Sequence, residues 1–475
     1  MDLGQFILMR HELLLTFAAL AILIAEVSTS EKNKARIIPF ALGVFALITI
    51  IGFIPGETGN LFGGSFQSSL LTTFMKNILN LAVLIIFLQA EGWLRKEENA
   101  NKISEYFILT LSTLIGMNFM ISAGDFLIFY IGLETATIPI AGLAAFDKYK
   151  SRSAEAGIKL ILSSAFSSGI MLFGLSIIYG VTGSIYFADI SSHISANAIT
   201  ALAFIFFVSG MGFKISLVPF HFWTADVYEG APVNVTSYLS VVSKGAAAFI
   251  FTIILFTVFK NIVDLWQPLI YTLAVFTMTL ANLFALRQDN IKRFLAFSSI
   301  AQAGFILVGI IGAGELGMTS VVYFVLVYVF TNLGAFGVVS AIHNASGVET
   351  ISGYNGLYKT NPKLSLLMTL SLFSLAGIPP VAGFFGKFFL FTAAAGSGYF
   401  ILVFIAVLNA TISLYYYLRV VKAMFIDKNE QPIPAFRSSN AMRLSLVMCV
   451  AGIFVIGFAS GIFEYIRSIS ILFLN

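Results

Sequence analysis

The sequence predicts an all-α integral membrane protein with about 14 transmembrane helices. Of its 475 residues, 58% are hydrophobic and only 11% are charged, whereas soluble domains carry about 25% charged residues. Apolar runs recur along the whole chain, and each is close to the ~20 residues that a helix needs to cross a bilayer. The alternating ~10-residue segments typical of membrane β-barrels are not seen. Two of the predicted spans are interrupted, and they carry most of the functional information.

Each predicted span is an apolar run bounded by charged or turn-forming residues. The spans lie at 12–29, 36–54, 74–92, 104–122, 124–145, 155–180, 198–218, 233–258, 266–286, 291–312, 317–341, 364–394, 399–425 and 441–466. We interpret the first run as a retained helix rather than a signal peptide, because it lacks a convincing small-residue cleavage site and further spans follow it.

Basic residues alternate from one predicted loop to the next. Most odd-numbered loops are basic, for example at 32–36, 148–152 and 287–293, while the even-numbered loops are nearly free of lysine and arginine. Basic loops are retained on the cytoplasmic side of a membrane. We therefore predict odd loops in the cytoplasm and both termini on the periplasmic side of the cell inner membrane.

The seventh span is interrupted, because Lys214 is followed five residues later by Pro219. An ammonium at membrane depth costs roughly 2.5–3.5 kcal/mol on insertion scales. A proline in a membrane helix frees carbonyl groups that need water or polar neighbours. Lys244 lies in the middle of the next span, too central for its ammonium to reach the headgroups comfortably, whereas Lys214 has that alternative. Together these residues predict a hydrated, ion-handling interior.

The twelfth span, 364–394, is the second interrupted one. Its ~31 residues would form a straight helix of about 46 Å, well beyond a ~30 Å bilayer core. The pair Pro379-Pro380 lies among three glycines, and Lys387 follows. The broken spans are five spans apart and so run in opposite directions. This arrangement predicts two inverted five-helix repeats, at 104–258 and 266–425, preceded by 1–103 and followed by 426–475.

Further charged residues are candidates for the same proton chemistry. Glu134 lies near the centre of the fifth span, where a glutamate facing a lysine can exchange a proton with it; the alternative is a protonated carboxyl bonded to a neighbouring helix. Lys159 is a weaker candidate, because Glu155 four residues earlier predicts an ordinary helix ion pair. The turn that holds His221, Asp226 and Glu229 is either a proton uptake site or a solvated loop.

Several other chemistries lack the residues they need. The lone Cys449 leaves no pair for an intramolecular disulfide or set for a cysteine-ligated cluster. No Walker loop, strand-associated GxGxxG or HExxH pattern occurs, so we predict no cofactor and no metal bound by this chain. The net charge of +4 is explained by loop lysines rather than by a nucleic-acid partner. His343 is predicted to lie in a loop.

The sequence around the first interruption resembles the antiporter-like, proton-translocating membrane subunits of respiratory complex I. The matching positions are 212–232, Lys244, Glu134, 153–159 and 377–387. The turn after Trp223 is similar to the N-type members of this family rather than to the L and M types. Lysine at position 387 agrees with N- and L-type subunits, whereas an M-type subunit would have glutamate. The resemblance extends from about residue 105 to 425.

The resemblance implies a proton path from cytoplasm to periplasm. In it, Glu134 modulates Lys214, Lys244 relays the proton along a central hydrophilic axis, and Lys387 delivers it to the outer side. It also implies NADH, FMN, iron–sulfur clusters and quinone in partner subunits. The implied partners are an antiporter-like M subunit, small K-, J- and A-type subunits, the lipid bilayer and, indirectly, a peripheral redox arm.

Three other interpretations stay open from the sequence alone. A subunit of an Mrp-type cation/proton antiporter or of a membrane-bound hydrogenase would share the broken spans and buried lysines, although the turn at 226–230 argues against both. An autonomous secondary transporter would bind its substrate near the midplane. A structural membrane spacer would tolerate replacement of Lys214 or Lys244 without loss of proton transport.

Overall fold

The computed structural model describes residues 3–474 of the chain. Within this range, thirteen helices are long and apolar enough to cross a membrane, and two shorter apolar helices follow one another in the twelfth span. The protein is therefore a multi-pass, all-α membrane protein. This arrangement confirms the predicted fold class.

Three spans form the N-terminal part. They are α1 (Arg10–Ser28), α2 (Ile37–Gly52) and α3 (Leu70–Leu94), with an antiparallel hairpin of β1 (Gly59–Leu61) and β2 (Phe66–Ser68) between the last two. Helix α3 begins where Ser69 and Thr72 each bond the other's backbone N–H, so that two otherwise unpaired amides are satisfied. Short 3-10 turns occupy Leu3–Met9, Glu31–Arg36, Phe62–Gly64, Glu97–Lys102, Lys260–Ile262 and Ser352–Tyr354.

The next five spans contain the first interruption. The helices are α4 (Ile103–Ile121), α5 (Phe126–Ala144), α6 (Ser151–Thr182), the short α7 (Phe187–His193), α8 (Ala198–Ile215), α9 (Phe222–Gly230), α10 (Val233–Tyr238) and α11 (Lys244–Thr257). The seventh span breaks after α8, where Ser216 adopts a left-handed conformation with φ 69°. A π turn, Leu239–Ser243, joins α10 to α11 in the eighth span.

Five further spans contain the second interruption. The helices are α12 (Val263–Ala285), α13 (Ile291–Ile311), α14 (Gly314–Ser346), the short α15 (Leu357–Thr360), α16 (Pro362–Ala376), α17 (Ala382–Gly396) and α18 (Phe400–Phe425). The twelfth span breaks between α16 and α17, at Gly377 with φ 86°. Helices α6 and α14, with 32 and 33 residues, are also five spans apart. This spacing supports the inverted repeats, which stay a prediction.

The C-terminal part corrects one sequence expectation. The fourteenth span, α19 (Asn440–Phe458), ends earlier than the predicted 441–466, and a separate helix α20 (Ser460–Leu474) follows it. The break falls at Ala459, which has φ −90° and ψ 84°. Apolar residues lie on both sides of the short Ser460-Gly461 step, so averaged hydropathy does not register the change in backbone direction. Helix α20 is amphipathic: it buries Ile466 and Ile469, while Arg467 pairs with Glu315 of α14.

The core lies around the eighth, tenth and eleventh spans. The most apolar stretches of α13 and α14 are fully buried inside the protein, and that of the eighth span is nearly so. The second and sixth spans, and α18 and α19, have largely exposed apolar surfaces, as expected of helices that face lipid. The two interruptions therefore border a protein-enclosed interior, where irregular backbone can be satisfied.

Candidate functional site

Within the described residues, three lysines are buried in membrane-spanning helices without a carboxylate partner. Lys214, Lys244 and Lys387 are 8%, 2% and 4% exposed. Among the residues that the structure describes, none of the three has a carboxylate oxygen within 4.0 Å. A buried ammonium without a counter-ion is unfavourable by several kcal/mol. Such groups are typical of ion and proton pathways rather than of packing.

Lys214 lies in the last turn of α8, just before the first interruption. Its Nζ donates a hydrogen bond to Thr137 Oγ1 of α5 at 2.7 Å. A cavity of about 10 Å³ adjoins both residues and is lined by Ser164, Ser167 and Ser168 of α6. A cavity of this size holds about one water molecule. The serines therefore give Lys214 a polar contact route toward α6.

Glu134 lies one turn before Thr137 on α5, on the same face of the helix. The residue is half-buried, and its Oε1 is a buried atom without a hydrogen-bond partner among the described residues. No ion pair within 4.0 Å joins Glu134 to Lys214 in the described part of the chain. Glu134 therefore lies on the same face of α5 as the residue that binds Lys214. The Lys214 ammonium, however, donates to the Thr137 hydroxyl instead of pairing with the Glu134 carboxylate.

Lys244 is the first residue of α11, directly after the π turn. Single π turns within α-helices are frequent at functional sites. Its Nζ donates to Ser299 Oγ of α13 and lies 5.9 Å from the centroid of the Tyr228 ring of α9. Lys244 thus connects the first group of five spans with the second.

Lys387 donates a hydrogen bond to a backbone carbonyl oxygen at the second interruption. Its Nζ donates to the Ala376 carbonyl oxygen at 3.0 Å and lies 4.4 Å from the centroid of the Phe305 ring. Ala376 is the last residue of α16, where carbonyl groups have no partner within the helix. A cavity of about 10 Å³ beside Lys387 is lined by polar side chains of three helices, namely Gln302, Tyr328, Thr331 and Ser374.

A polar network extends from the π turn toward Lys387. Ser240 Oγ and Tyr328 OH are 3.1 Å apart. Asn332 Nδ2 donates to both, at 2.7 Å to Ser240 and 3.0 Å to Tyr328. Tyr328 also lines the small cavity beside Lys387. The hydroxyl and amide groups of α14 therefore connect the surroundings of Lys244 with those of Lys387.

The region between Lys214 and Lys244 is aromatic instead. Phe213 stacks on Trp223 with ring centroids 5.1 Å apart, and Trp223 meets Tyr228 edge-on at 6.3 Å. The Trp223 indole N–H donates to the Phe213 carbonyl oxygen. In the described residues, no side-chain hydrogen bond joins Lys214 or its pocket residue Thr137 to the groups around Lys244. Lys214 therefore lies in a polar pocket of its own, separate from the network of Lys244 and Lys387.

A charged cavity of about 550 Å³ opens among the loop ends that the sequence places in the cytoplasm. Lys292 lies at its base, where its Nζ pairs with Glu349 at 2.8 Å and donates to the Ala231 carbonyl oxygen at 3.3 Å. His343 lines the cavity and lies 3.3 Å from Glu349. The expectation that His343 lies in a loop is wrong, because α14 continues five residues beyond the predicted span.

Lys150 is at the rim of the same cavity, outside the membrane spans. Partial burial lowers the pKa of its ammonium, but the hydrogen bond to Asp147 at 3.0 Å and the negative charges of Asp147, Glu98 and Glu349 together outweigh burial and raise the pKa above the ordinary value. Lys150 therefore stays protonated, and it contributes fixed positive charge at the mouth of the cavity.

A stripe of small polar residues follows the eighth span from this cavity to Lys244. Asn234, Ser237 and Ser240 occur at three-residue spacing and share one helix face. The Asn234 amide oxygen accepts a hydrogen bond from Ser340 of α14 at 3.1 Å. This stripe is not among the features predicted from the sequence. Its signal is the regular recurrence of serine and asparagine in a span that is otherwise apolar.

Lys159 lies apart from the three buried lysines. Its side chain is 41% exposed and pairs with Glu155 and with Asp226 of α9, both at 2.7 Å. The predicted helix ion pair is present, and Asp226 is a second partner that the sequence did not indicate. Asp226 also pairs with Arg293 of α13 at 2.7 Å. This arrangement is an ion-pair network that joins α6, α9 and α13.

The turn residues proposed for proton uptake separate into two environments. Asp226 and Glu229 take part in the ion-pair network, Glu229 through Arg293 at 3.1 Å. His221 is buried between α8 and α9 beside Phe222, and its Nδ1 has no partner among the described residues. The structure therefore does not bring His221 together with the two acids.

Comparison with known proteins gives a consistent family. A family model described as NADH:quinone oxidoreductase/Mrp antiporter, transmembrane, matches residues 123–413. The NADH-quinone oxidoreductase subunit N of Phocaeicola vulgatus is 50% identical over 474 residues, covering 99% of this chain and 100% of that protein.

Solved structures share the fold. A chain of respiratory complex I from Thermus thermophilus is 26% identical, with a TM-score of 0.79, and covers 95% of this chain and 97% of its own. A chain of the Mrp complex from Dietzia has a TM-score of 0.86 at 20% identity, covering 100% of this chain and 98% of its own. At that identity the second likeness shows the fold alone.

Proposed function

We propose that this chain, which belongs to the family of NADH-quinone oxidoreductase N subunits, moves protons from the cytoplasm to the periplasm within such a complex. The energy comes from NADH oxidation and quinone reduction in other subunits. NADH, FMN, iron–sulfur clusters and quinone bind in those subunits, and this chain carries no redox chemistry of its own.

The observation that carries the proposal is the burial of three lysines without carboxylate partners. A lysine desolvated in this way changes protonation state readily when water or a charge approaches. Two of the three adjoin helix interruptions, which expose backbone carbonyl groups to the interior. A purely structural role would be served better by apolar residues at these positions.

The geometry supports a path from the eighth span to the twelfth. A proton enters the charged cavity at Lys292 and Glu349 and follows Asn234, Ser237 and Ser240 to Lys244. From Lys244 it passes along hydroxyl groups and water to Lys387 at the second interruption. Lys387 then releases it toward the periplasmic side. Each step uses groups that can donate and accept a hydrogen bond.

Glu134 and Lys214 form a control site in this proposal. Because aromatic rings separate Lys214 from Lys244, we assign Lys214 an electrostatic effect rather than direct proton transfer. A proton on Lys214 raises the free energy of a second proton on Lys244, since like charges repel strongly in a medium of low dielectric constant. Glu134 sets the charge of Lys214 and so determines when Lys244 loads. Lys159 stabilises the ion-pair network and has no transfer step.

The proposed partner subunits follow from the assignment of this chain to the N-subunit family. We propose that the chain assembles in the cell inner membrane with an antiporter-like M subunit and with small K-, J- and A-type subunits. The peripheral redox arm acts on it indirectly. Both termini face the periplasm, in agreement with the basic odd-numbered loops.

The test uses the intact complex in proteoliposomes, with NADH-driven internal acidification and NADH:quinone activity measured in parallel. Lys244→Met is expected to reduce acidification per NADH oxidised while the complex still assembles. Lys428→Met, at an exposed loop lysine, is the matched control and should behave as wild type. Unchanged acidification in Lys244→Met would overturn the proposal.

An Mrp-type antiporter subunit is the second candidate, since the family model covers both classes and the Dietzia chain shares the fold. The two are separated by the proteins that co-purify in mild detergent. Redox subunits and NADH-dependent transport support the first function. Cation-driven proton exchange without NADH supports the second.

A further inference from the structure

We propose that a groove between the twelfth and fourteenth spans binds one anionic phospholipid, with its headgroup on the side of the membrane that the loop charges place in the cytoplasm. The groove has a volume of about 750 Å³, which is within the range of ligand sites. Its lining comes from the end of α15, the first turns of α16, the loop before α19 and one side of α19.

The upper part of this phospholipid groove is positively charged. Lys363, Arg437 and Arg443 line it, and no Asp or Glu is among its described lining residues. None of the three cations has a carboxylate partner within 4.0 Å in the part of the chain that the structure describes. Other cations on this side form ion pairs, for example Lys292 with Glu349. A cluster of unpaired cations is complementary to a phosphate group.

The lower part of the groove is apolar. Leu364 and Leu367 follow one face of α16, and Val447 and Val450 follow the facing side of α19. These side chains continue from the cations along two membrane-spanning helices. A free phosphate ion would leave this wall without a partner, whereas the acyl chains of a phospholipid bury it. Basic pockets between membrane helices on the cytoplasmic side are suited to anionic lipid headgroups.

The groove is held open by hydrogen bonds of the protein itself. The Asn361 side chain donates to the Pro434 carbonyl oxygen at 3.1 Å and accepts from the Phe436 N–H at 3.3 Å. Asn361 precedes α16, while Pro434 and Phe436 belong to the loop before α19. One buried amide therefore fixes the distance between the two walls. A preformed site loses less conformational entropy on binding.

The experiment compares two charge variants of the intact complex. The groove variant is Lys363→Gln with Arg437→Gln and Arg443→Gln. The control variant is Lys32→Gln with Lys148→Gln and Lys428→Gln, which removes the same charge from exposed positions in loops of the same side. Each complex is delipidated in mild detergent and titrated with cardiolipin, phosphatidylglycerol, phosphatidylcholine and inorganic phosphate, and bound lipid is read by native mass spectrometry.

The groove variant is expected to bind the anionic lipids roughly a hundredfold more weakly, since each cation near the headgroup favours binding. Binding of phosphatidylcholine should not change, and the control variant should match wild type. Equal binding by both variants would overturn the proposal, as would a protein subunit cross-linked within the groove. Displacement of the lipid by inorganic phosphate would show an anion site only and would also overturn it.

A second variant keeps the proposal testable if the charge variant fails to assemble. Leu367→Trp fills the apolar part of the groove without changing its charge. It should abolish retention of the acyl-bearing lipid while leaving assembly intact, and unchanged retention would count against the groove. Leu366→Trp, on the exposed side of the same helix, is the matched control.

Discussion

The Nζ of Lys387 and the carbonyl oxygen of Ala376 lie 3.0 Å apart across the interruption of the twelfth span. The break that ends α16 therefore supplies the acceptor for the lysine of α17. The amine is stabilised by a neutral carbonyl group and an aromatic face rather than by a carboxylate. Such an environment does not fix the proton permanently, as a buried ion pair would.

Replacement of Lys387 by Met is the direct test of this relationship. Methionine has a similar length and cannot carry a proton, so we expect proton transfer to slow on the order of 100-fold, with assembly retained. NADH-driven acidification of proteoliposomes measures the effect. Lys422→Met, at an exposed lysine of α18 that pairs with Asp427, is the control. Normal acidification with Lys387→Met would exclude Lys387 from the path.

Thr137→Val tests the pocket of Lys214. Valine keeps the shape of threonine but removes the acceptor of the Lys214 hydrogen bond. Loss of a hydrogen bond to a charged group costs roughly 1.5–3 kcal/mol, so the ammonium form of Lys214 should become less populated. Acidification per NADH should fall. Thr135→Val, at an exposed position two residues earlier, should have no effect; an equal loss in both variants would contradict the assignment.

Glu134→Ala tests the control role of the glutamate. If Glu134 determines the charge of Lys214, its loss should reduce proton transfer to about the extent of Lys214→Ala, and the double variant should be no worse than either single one, because residues that act as a unit are not additive. Complex assembly, measured on native gels, should be normal in all three. Additive losses would indicate two independent roles.

The two interruptions could be predicted from sequence because their causes are local. Proline and glycine impose backbone geometry on their own segment, and a lysine in an apolar run is visible without knowledge of its neighbours. The network of Ser240, Tyr328 and Asn332 could not be predicted in this way. Each of these residues is an ordinary polar residue in its own span, and only packing brings them together.

The partner of Lys214 shows the same limit. The sequence indicated Glu134, which has the opposite charge, and Thr137 one turn later was overlooked because a threonine in a span carries no distinctive signal. The end of α19 was missed for a different reason. Hydropathy averages over a window of residues, so the short Ser460-Gly461 step between two apolar stretches does not mark a boundary.

Gly383→Ala tests how closely the two halves of the twelfth span must approach. A Cβ at Gly383 would overlap the Ser374 carbonyl oxygen, so α17 would have to move away from α16. Overpacking of this kind typically costs about 1–3 kcal/mol. The complex should melt at lower temperature and pump less, since Lys387 moves with α17. Gly396→Ala, in the same helix with open space around its Cβ position, should leave both properties unchanged.

The N-terminal spans contain a buried ion pair outside the proposed path. Lys76 of α3 and Glu12 of α1 lie 2.6 Å apart, and both side chains are 2% exposed. Beside them, His11 Nε2 and Asn77 Oδ1 are 2.9 Å apart, and Lys76 also lies over the Phe66 ring. The Glu12–Lys76 pair is therefore the main polar link between the first and third spans at this depth.

Removal of one partner should be far more damaging than removal of both. Lys76→Met leaves Glu12 as an uncompensated buried charge, which we expect to lower the free energy of unfolding by about 3–5 kcal/mol. Glu12→Leu combined with Lys76→Met should restore most of this stability, because two apolar side chains pack without desolvation cost. Arg95→Met, which breaks the exposed pair with Glu91, should cost at most about 1 kcal/mol. Thermal melting of the purified complex compares wild type with the three variants. A double variant that is no more stable than Lys76→Met would mean that the Glu12–Lys76 pair does more than neutralise its own two charges.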